Sequence, residues 1–169
     1  VVNFQDQSTG SPTAWSWDFG NGNTSSLQNP TATYFNPGTY TVRLTATNAR
    51  GSNTLTRTSY ITVHEPPTVS FTGDVLSGCY PLRVQFSDMS TPGAGNTNVS
   101  WNWDFGNGQT SSLQNPLAIY TATGVYSVTL RVTNDKGCSR TFSRANYITV
   151  TDGVHVSLTH TQATVCTAP

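Results

Sequence analysis

The octapeptide WSWDFGNG at residues 15–22 returns as WNWDFGNG at residues 101–108. In each copy two tryptophans and a phenylalanine occupy alternate positions, so a β-strand would place all three rings on one face. The Gly-Asn-Gly that ends each copy is typical of a turn, because glycine adopts positive φ freely and asparagine tolerates it. The sequence therefore predicts two strands, each of which must bury an aromatic face against a partner.

The residues around this octapeptide repeat with constant spacing. The pairs that match at a distance of 86 positions are Trp17 and Trp103, Pro30 and Pro116, Tyr34 and Tyr120, Gly38 and Gly124, and Tyr40 and Tyr126. The second copy gains residues only near 91–98 and 135–144, where we predict turns, which tolerate insertions. A repeat of about 85 residues predicts two domains built on one plan.

Short segments with alternating apolar and polar residues fill each copy. The clearest runs over residues 40–47, with tyrosine, valine, leucine and alanine on one face and threonine or arginine on the other. Because turn residues separate these segments and none has a helical period, we predict antiparallel β-sandwiches. The tryptophan strand and the strand at residues 40–47 should form the inner walls of the first one.

Two consecutive prolines divide the chain, since proline lacks the amide that a sheet requires. We expect a short linker at residues 65–67. The predicted domains are residues 1–64, which lack a first strand, and residues 68–151. Residues 152–169 are predicted to form the first strand of a further unit.

Composition restricts the kinds of partner. Charged residues make up 9% of the chain and the net charge is zero, so we expect no nucleic-acid surface. No apolar run approaches the roughly 18 residues of a membrane span. The 29 threonines and 18 serines favour an extracellular or cell-surface protein. Asn23 and Asn98 begin N-x-Ser/Thr triplets and are candidate N-glycosylation sites, although such triplets also arise by chance in this composition.

The strand motif WDFG, the Asn-Pro that precedes a tyrosine, and the run PGTYTVRLTATN at residues 37–48 resemble PKD domains, the immunoglobulin-like repeats named after polycystin. The resemblance covers both copies, but Asn21 and Asn107 replace the aspartate that is usual in the microbial form. It implies an all-β chain of two tandem antiparallel immunoglobulin-like sandwiches and no catalysis. The core motif residues would be Trp17, Phe19, Tyr40, Trp103, Phe105 and Tyr126.

The resemblance also implies a disulfide in the second copy. Cys79 precedes a strand and Cys138 follows a turn, so the bond would join the first strand to the late hairpin. It would also place the chain in an oxidising compartment. Cys166 then lacks a partner, either as a buried thiol or as half of an intermolecular bridge.

The last residues of the chain repeat the start of the second unit. Residues 156–159 read VSLT and match VSFT at residues 69–72, and Cys166 matches Cys79, all 87 positions apart. Continued past residue 169, the same register leads into residue 1 of another copy. We therefore predict an assembly strand that includes Val154, Val156 and Leu158. Either the chain is a window on a long array, or separate subunits donate residues 154–166 to each other; a boundary placed within a third domain is the alternative.

The charged residues predict no active site. Asp6 and Asp88 occupy matching loop positions, as do Asp18 and Asp104, and loop carboxylates can ligate calcium. Hydrogen bonds to turn amides, and cross-strand pairing of Asp18 and Asp104 with arginine, are the favoured interpretation. The three histidines do not repeat and have no ligand spacing. We expect no metal, no cofactor and no nucleophile–base pair.

Two functional hypotheses follow from the sequence and the resemblance. The first is a structural segment of an extracellular fibre or long surface adhesin, with head-to-tail copies as partners. The alternative is a spacer or substrate-binding accessory region of a secreted peptidase or glycosidase, with polysaccharide or cell-surface glycans as further partners. A substrate-binding module should expose a flat aromatic patch.

Overall fold

The structure is a computed structural model that describes residues 1–154, and every described strand belongs to one of two β-sandwiches. The all-β prediction with two tandem sandwiches is confirmed. The first sandwich contains β1 (Val2–Asn3), β2 (Ala14–Asp18), β3 (Thr24–Ser25), β4 (Thr31–Ala32), β5 (Gly38–Asn48) and β6 (Gly51–Val63). The second contains β7 (Phe71–Gly73), β8 (Ser77–Cys79), β9 (Leu82–Asp88), β10 (Asn98–Asp104), β11 (Thr110–Ser111), β12 (Leu117–Tyr120), β13 (Gly124–Asn134) and β14 (Ser139–Thr151). Over residues 1–154, no helix is long and apolar enough to cross a membrane.

The first sandwich packs a four-stranded sheet, in the order β3-β2-β5-β6, against the pair β1-β4. Trp17 on β2 lies opposite Leu44 on β5, so the tryptophan strand pairs with the alternating strand as the sequence predicts. Buried apolar side chains from both sheets form the core: Phe4, Trp17, Phe19, Ala32 and Val42.

The second sandwich has two more strands than the first. Its sheets run β11-β10-β13-β14-β8 and β12-β9-β7. β7 pairs antiparallel with β9, whereas β8 pairs parallel with β14. The predicted antiparallel sandwich therefore carries one parallel pairing at this edge. After β7 the chain crosses to the opposite sheet, and there its neighbour runs in the same direction.

The missing strands leave the first core less covered. Leu44 and Ile61 are only partly buried, whereas the matching Leu130 and Ile148 of the second sandwich are fully buried. In the described part of the first sandwich, no strand pairs with the outer edge of β6. Apolar side chains at matching positions are therefore partly exposed in the first sandwich and buried in the second.

The predicted Cys79–Cys138 disulfide is not formed, and both thiols are free. Cys79 ends β8 and lies beside Thr151, at the end of β14. Cys138 directly precedes the first residue of that 13-residue strand. At about 3.3 Å per residue, roughly 40 Å of extended chain separates the two positions. Disulfide geometry requires Cα atoms less than about 7 Å apart, so these two cysteines cannot pair.

The stretch around the two prolines has specific contacts. The backbone carbonyl of Glu65 accepts hydrogen bonds from the side-chain amides of Asn96 (3.1 Å) and Asn134 (3.0 Å). The carboxylate of Glu65 accepts a third bond from the Ala94 amide at 3.0 Å. The bond to Glu65 helps to satisfy Asn134, which is a buried polar side chain of the second repeat.

Candidate functional site

The tryptophans of the repeated octapeptide anchor each core by ring packing and one hydrogen bond. Trp103 and Phe105 stack with centroids 6.1 Å apart and an interplanar angle of 17°. The Trp103 indole Nε1 donates to the carbonyl of Leu113 at 2.9 Å, and Trp17 donates to Leu27 at 3.0 Å. These residues satisfy their polar atoms internally, so the octapeptide serves the core and presents no reactive group.

Tyrosines that recur in the two copies also act as structural donors. Tyr120 Oη donates to the carbonyl of Phe105 at 3.2 Å. Burial, helped by Tyr126 and Asp104, raises the pKa of Tyr120 above its ordinary value and keeps the phenol protonated. Tyr126 Oη donates to the carbonyl of Ala122 at 2.9 Å, and Tyr40 donates to Asn36 at 2.8 Å.

Asp6 and Asp88, which the sequence leaves as calcium candidates, each bind a tryptophan. Trp15 Nε1 donates to Asp6 Oδ2 at 2.7 Å, and Trp101 Nε1 donates to Asp88 Oδ2 at 2.7 Å. The other oxygen of Asp6 accepts from the Ser8 amide at 2.9 Å, as expected for a turn. Within residues 1–154, no group of three or more His, Cys, Asp or Glu residues could hold a metal ion.

The carboxylates that end the tryptophan strands cap turns as well. Asp18 Oδ1 accepts from the Gly20 amide at 2.9 Å, and Asp104 Oδ1 accepts from the Gly106 amide at the same distance. Asp18 lies opposite Arg43 in the strand register. Both aspartates therefore fix the geometry of the glycine turn that follows them.

The Asp6–Trp15 contact predicts a pH-dependent contribution to stability. Burial alone would raise the pKa of Asp6, but hydrogen bonds from Ser8, Trp15 and Gln28 outweigh it and lower that pKa below 3.8. A depressed pKa gives stability that is present above about pH 4 and is lost as the pH falls through the folded-state pKa. We expect Asp6→Asn to lower the free energy of unfolding by about 1 kcal/mol at pH 7, because this site is largely exposed.

Urea unfolding of the wild type and Asp6→Asn at pH 7 and pH 3 tests this expectation. The difference between the two proteins should shrink at pH 3, because this pH lies below the ordinary carboxyl pKa of 3.8, so the unfolded chain binds a proton that folded Asp6 binds less readily. Asp152→Asn is the control, because Asp152 is exposed and lies beyond the last strand. An Asp6→Asn deficit that is equally large at both pH values would contradict the electrostatic explanation.

An open groove of about 1160 Å³ lies in the first sandwich. Its apolar lining includes Phe4, Trp17, Leu55 and Tyr60. Leu55 is 55% exposed and Tyr60 is 49% exposed, which is unusual for side chains that face a sandwich interior. Arg57 lies over the Tyr60 ring, with Cζ 5.0 Å from its centroid.

The second sandwich shows what occupies the matching position there. Phe71 of β7 is fully buried, with its ring centroid 5.2 Å from that of Trp103 and 5.6 Å from that of Tyr147. Arg144 lies over this ring, with Cζ 5.4 Å from the centroid. The Gly73 amide donates to Tyr147 Oη at 3.1 Å. One strand therefore supplies the ring that fills the second interior.

The groove of the first sandwich is lined by residues that match those of this pocket, and among residues 1–154 no strand fills it. Its residues and their counterparts are Phe4 and Phe86, Trp17 and Trp103, Leu55 and Phe142, Arg57 and Arg144, and Tyr60 and Tyr147. The groove was not predicted from the sequence, although the spacing of 87 positions between Arg57 and Arg144 could have indicated it. The arginine and the tyrosine therefore occupy matching positions in the two copies.

The other predicted site residues that the structure describes do not line this groove. Asn23 is exposed, whereas Asn98 is partly buried and donates to the carbonyl of Ser90 at 3.3 Å. Val154, the first residue of the predicted assembly strand, is 94% exposed. Val156 and Leu158 lie outside the described residues, as do Cys166 and two of the three histidines.

The PKD domain family model matches the chain twice, at residues 1–63 and 64–150. The chain belongs to the PKD domain family. Its two PKD domains are non-catalytic modules, which agrees with the absence of a nucleophile–base pair in the sequence.

Relatives of these PKD domains occur in two peptidases. The chain is 34% identical to Collagenase ColQ1 of Bacillus cereus over 90 residues, which are 53% of this chain and 9% of that protein. It is 30% identical to the Pre-pro-metalloprotease PrtV of Vibrio cholerae over 142 residues, which are 83% of this chain and 15% of that protein. The chain thus spans only a small part of the length of either relative.

Solved PKD domains from Vibrio also resemble one repeat of the chain. The PKD1 domain of the metalloprotease PrtV from Vibrio cholerae shares 40% identity and has a TM-score of 0.45. The PKD1 domain of Epp from Vibrio anguillarum shares 35% identity and has a TM-score of 0.46. Each comparison covers 53% of this chain and 100% of the Vibrio domain.

Proposed function

We propose that this chain is a non-catalytic accessory segment of a secreted peptidase, in which two PKD domains space the catalytic part from the rest of an extracellular protein. The observation that carries the proposal is the match to PrtV, which extends over 142 residues and so includes parts of both PKD domains. The similarity to a collagenase points the same way. The hydroxyl-rich, weakly charged composition suits a location outside the cell.

Outside the groove, the surface favours spacing over direct binding of a polymer substrate. Phe35 is 84% exposed, and among the described residues its ring contacts no other aromatic ring. Tyr80, at 39% exposure, likewise stands without an aromatic neighbour in that part of the chain. Binding of an insoluble polymer calls for a contiguous apolar patch, whereas single exposed rings are ordinary surface features.

A chimera with a catalytic relative tests this role. The 90 residues of Collagenase ColQ1 that match would be replaced by the corresponding residues of this chain, and a deletion of the same segment would be the comparison. We expect the chimera to hydrolyse a soluble peptide at the same rate as the deletion, but to degrade insoluble collagen faster. Equal activity of the chimera and the deletion on both substrates would refute the accessory role.

A second candidate is the fibre or surface adhesin, with copies arranged head to tail. The observation that favours it is the continuation of the repeat into residues 156–166, which match residues 69–79 at a spacing of 87. Electron microscopy of the concentrated chain tests it, because a fibre should show one repeat for each pair of PKD domains. Single particles without end-to-end contacts at high concentration would exclude it.

A further inference from the structure

We infer that Asn21 and Asn107 are modification sites at which asparagine converts to aspartate or isoaspartate without an enzyme, and that Gln109 makes Asn107 the slower of the two. Each asparagine precedes a glycine in the repeated octapeptide, and no other asparagine of the chain does. Asparagine is among the thermally labile residues. The inference goes beyond the proposed accessory role, because it concerns a change in the chain itself.

The reaction joins an asparagine side chain to the main-chain nitrogen of the next residue. The Gly22 nitrogen gives up its proton and attacks Cγ of Asn21, so a new C–N bond closes a five-membered succinimide ring. The bond from Cγ to Nδ2 breaks, and ammonia leaves with that proton. Water then opens the ring at either of its two carbonyls, which yields aspartate or isoaspartate. The reaction therefore consumes only water and releases only ammonia.

The glycines leave both turns accessible to this reaction. Gly22 and Gly108 are exposed, and a Cβ atom at either position would meet nothing within 4 Å. A side chain on the attacking residue would crowd the approach of its nitrogen to Cγ, and glycine has none. Water can therefore reach the ring in both copies.

In the folded chain two hydrogen bonds hold each asparagine side chain. Asn21 Nδ2 donates to the Thr33 carbonyl at 3.0 Å, and Asn21 Oδ1 accepts from the main-chain amide two residues later at 3.1 Å. Asn107 has the same pair of bonds, at 3.1 Å to the Ile119 carbonyl and at 3.0 Å. Attack makes Cγ tetrahedral and expels Nδ2, so the bond to the carbonyl must break first. We therefore expect conversion to proceed through local opening of the turn.

The two turns differ at the residue that closes them, which is Asn23 in the first copy and Gln109 in the second. The carbonyl of each accepts a hydrogen bond from the amide of the phenylalanine in the octapeptide, at 3.1 Å and 3.2 Å. Gln109 Nε2 also donates to the Ile119 carbonyl at 3.0 Å, which is the carbonyl that holds Asn107. In the described part of the chain, Asn23 has no such bond to Thr33.

The additional bond should keep the second turn closed for more of the time. Thr33 and Ile119 are both partly buried, so water can replace a lost donor at either carbonyl. The cost of releasing the asparagine itself is therefore similar in the two copies, and the difference comes from Gln109. From the usual net contribution of one hydrogen bond, we expect Asn21 to convert about fivefold faster than Asn107.

Peptide mapping by mass spectrometry tests this expectation on the folded full chain, incubated at pH 8 and 37 °C. Asn21 and Asn107 should gain the mass of the acid before any other asparagine, and Asn21 should do so faster. In urea neither turn is held, so both should convert at equal and higher rates. Each conversion also adds one negative charge to a chain of zero net charge, so anion exchange separates the products, with Asn21→Asp as the reference.

Reciprocal variants isolate the effect of the closing residue. Asn23→Gln and Gln109→Asn change exposed side chains, so both domains should still fold, which hydrogen exchange checks. Asn23→Gln should slow the conversion of Asn21, and Gln109→Asn should speed that of Asn107 about fivefold. In each variant the unchanged turn is the internal control.

Three results would overturn the inference. Conversion in the folded chain as fast as in urea would show that the two hydrogen bonds do not hold the asparagines. No conversion of either asparagine in the folded chain would show that they are not modification sites of the native protein. A faster Asn21 whose rate does not respond to Asn23→Gln would assign the difference to opening of the whole domain and not to the closing residue.

Discussion

Alanine in place of Gly106 is expected to unfold the second PKD domain or to lower its free energy of unfolding by more than about 3 kcal/mol. Gly106 has a φ of +75°, and a Cβ atom there would lie 2.5 Å from the backbone carbonyl oxygen of Ser127. A clash with backbone on the neighbouring strand cannot be relieved by a rotamer change. The left-handed conformation adds a further cost of about 1–2 kcal/mol for any residue with a Cβ.

Gly108→Ala provides the matched control for this prediction. Gly108 has a similar φ of +83°, but a Cβ there would meet nothing within 4 Å. Gly108→Ala should therefore lower the free energy of unfolding only by the cost of the left-handed conformation, about 1–2 kcal/mol. Denaturant unfolding with hydrogen exchange of the second domain measures both variants. Equal losses in the two variants would show that the contact with Ser127 costs little.

Removal of the Phe71 ring is the second large effect, and we expect Phe71→Ala to destabilise the second domain by about 3–5 kcal/mol. The ring is fully buried and lies under the Arg144 guanidinium, so the substitution removes both the apolar burial and a cation–π contact. The variant should expose Tyr147 and open a cavity like the groove of the first domain. Quenching of tryptophan fluorescence by acrylamide should then increase.

Thr72→Ala is the comparison, since Thr72 is the next residue on the same strand and is exposed. It should change the free energy of unfolding by less than about 1 kcal/mol. If Phe71→Ala costs no more than Thr72→Ala, the strand is held by its main-chain bonds alone.

Local pattern was sufficient to predict the strands and the residues that they bury. Trp103 and Phe105 alternate with polar residues, and both are almost fully buried. The turn residues were equally informative, because Gly20 and Gly106 have the positive φ that glycine permits. These features depend on residues that are close in sequence. The alternation of apolar and polar residues, with a period of two, indicates them directly.

Features that depend on contacts between distant parts of the chain could not be predicted from local pattern. Residues 74–76 carry no signal that the chain changes sheets after β7, so the parallel pairing of β8 was not predicted. The position of Cys138 in sequence does not show that a 13-residue strand separates it from Cys79. The groove was missed for a related reason, because Leu55 and Tyr60 read as ordinary strand residues until the sheet partners are known.

The separation of Cys79 and Cys138 also determines how the second domain responds to a reductant. Within residues 1–154, its fold contains no covalent cross-link that a reductant could remove. Its core should therefore form equally well with and without a reductant.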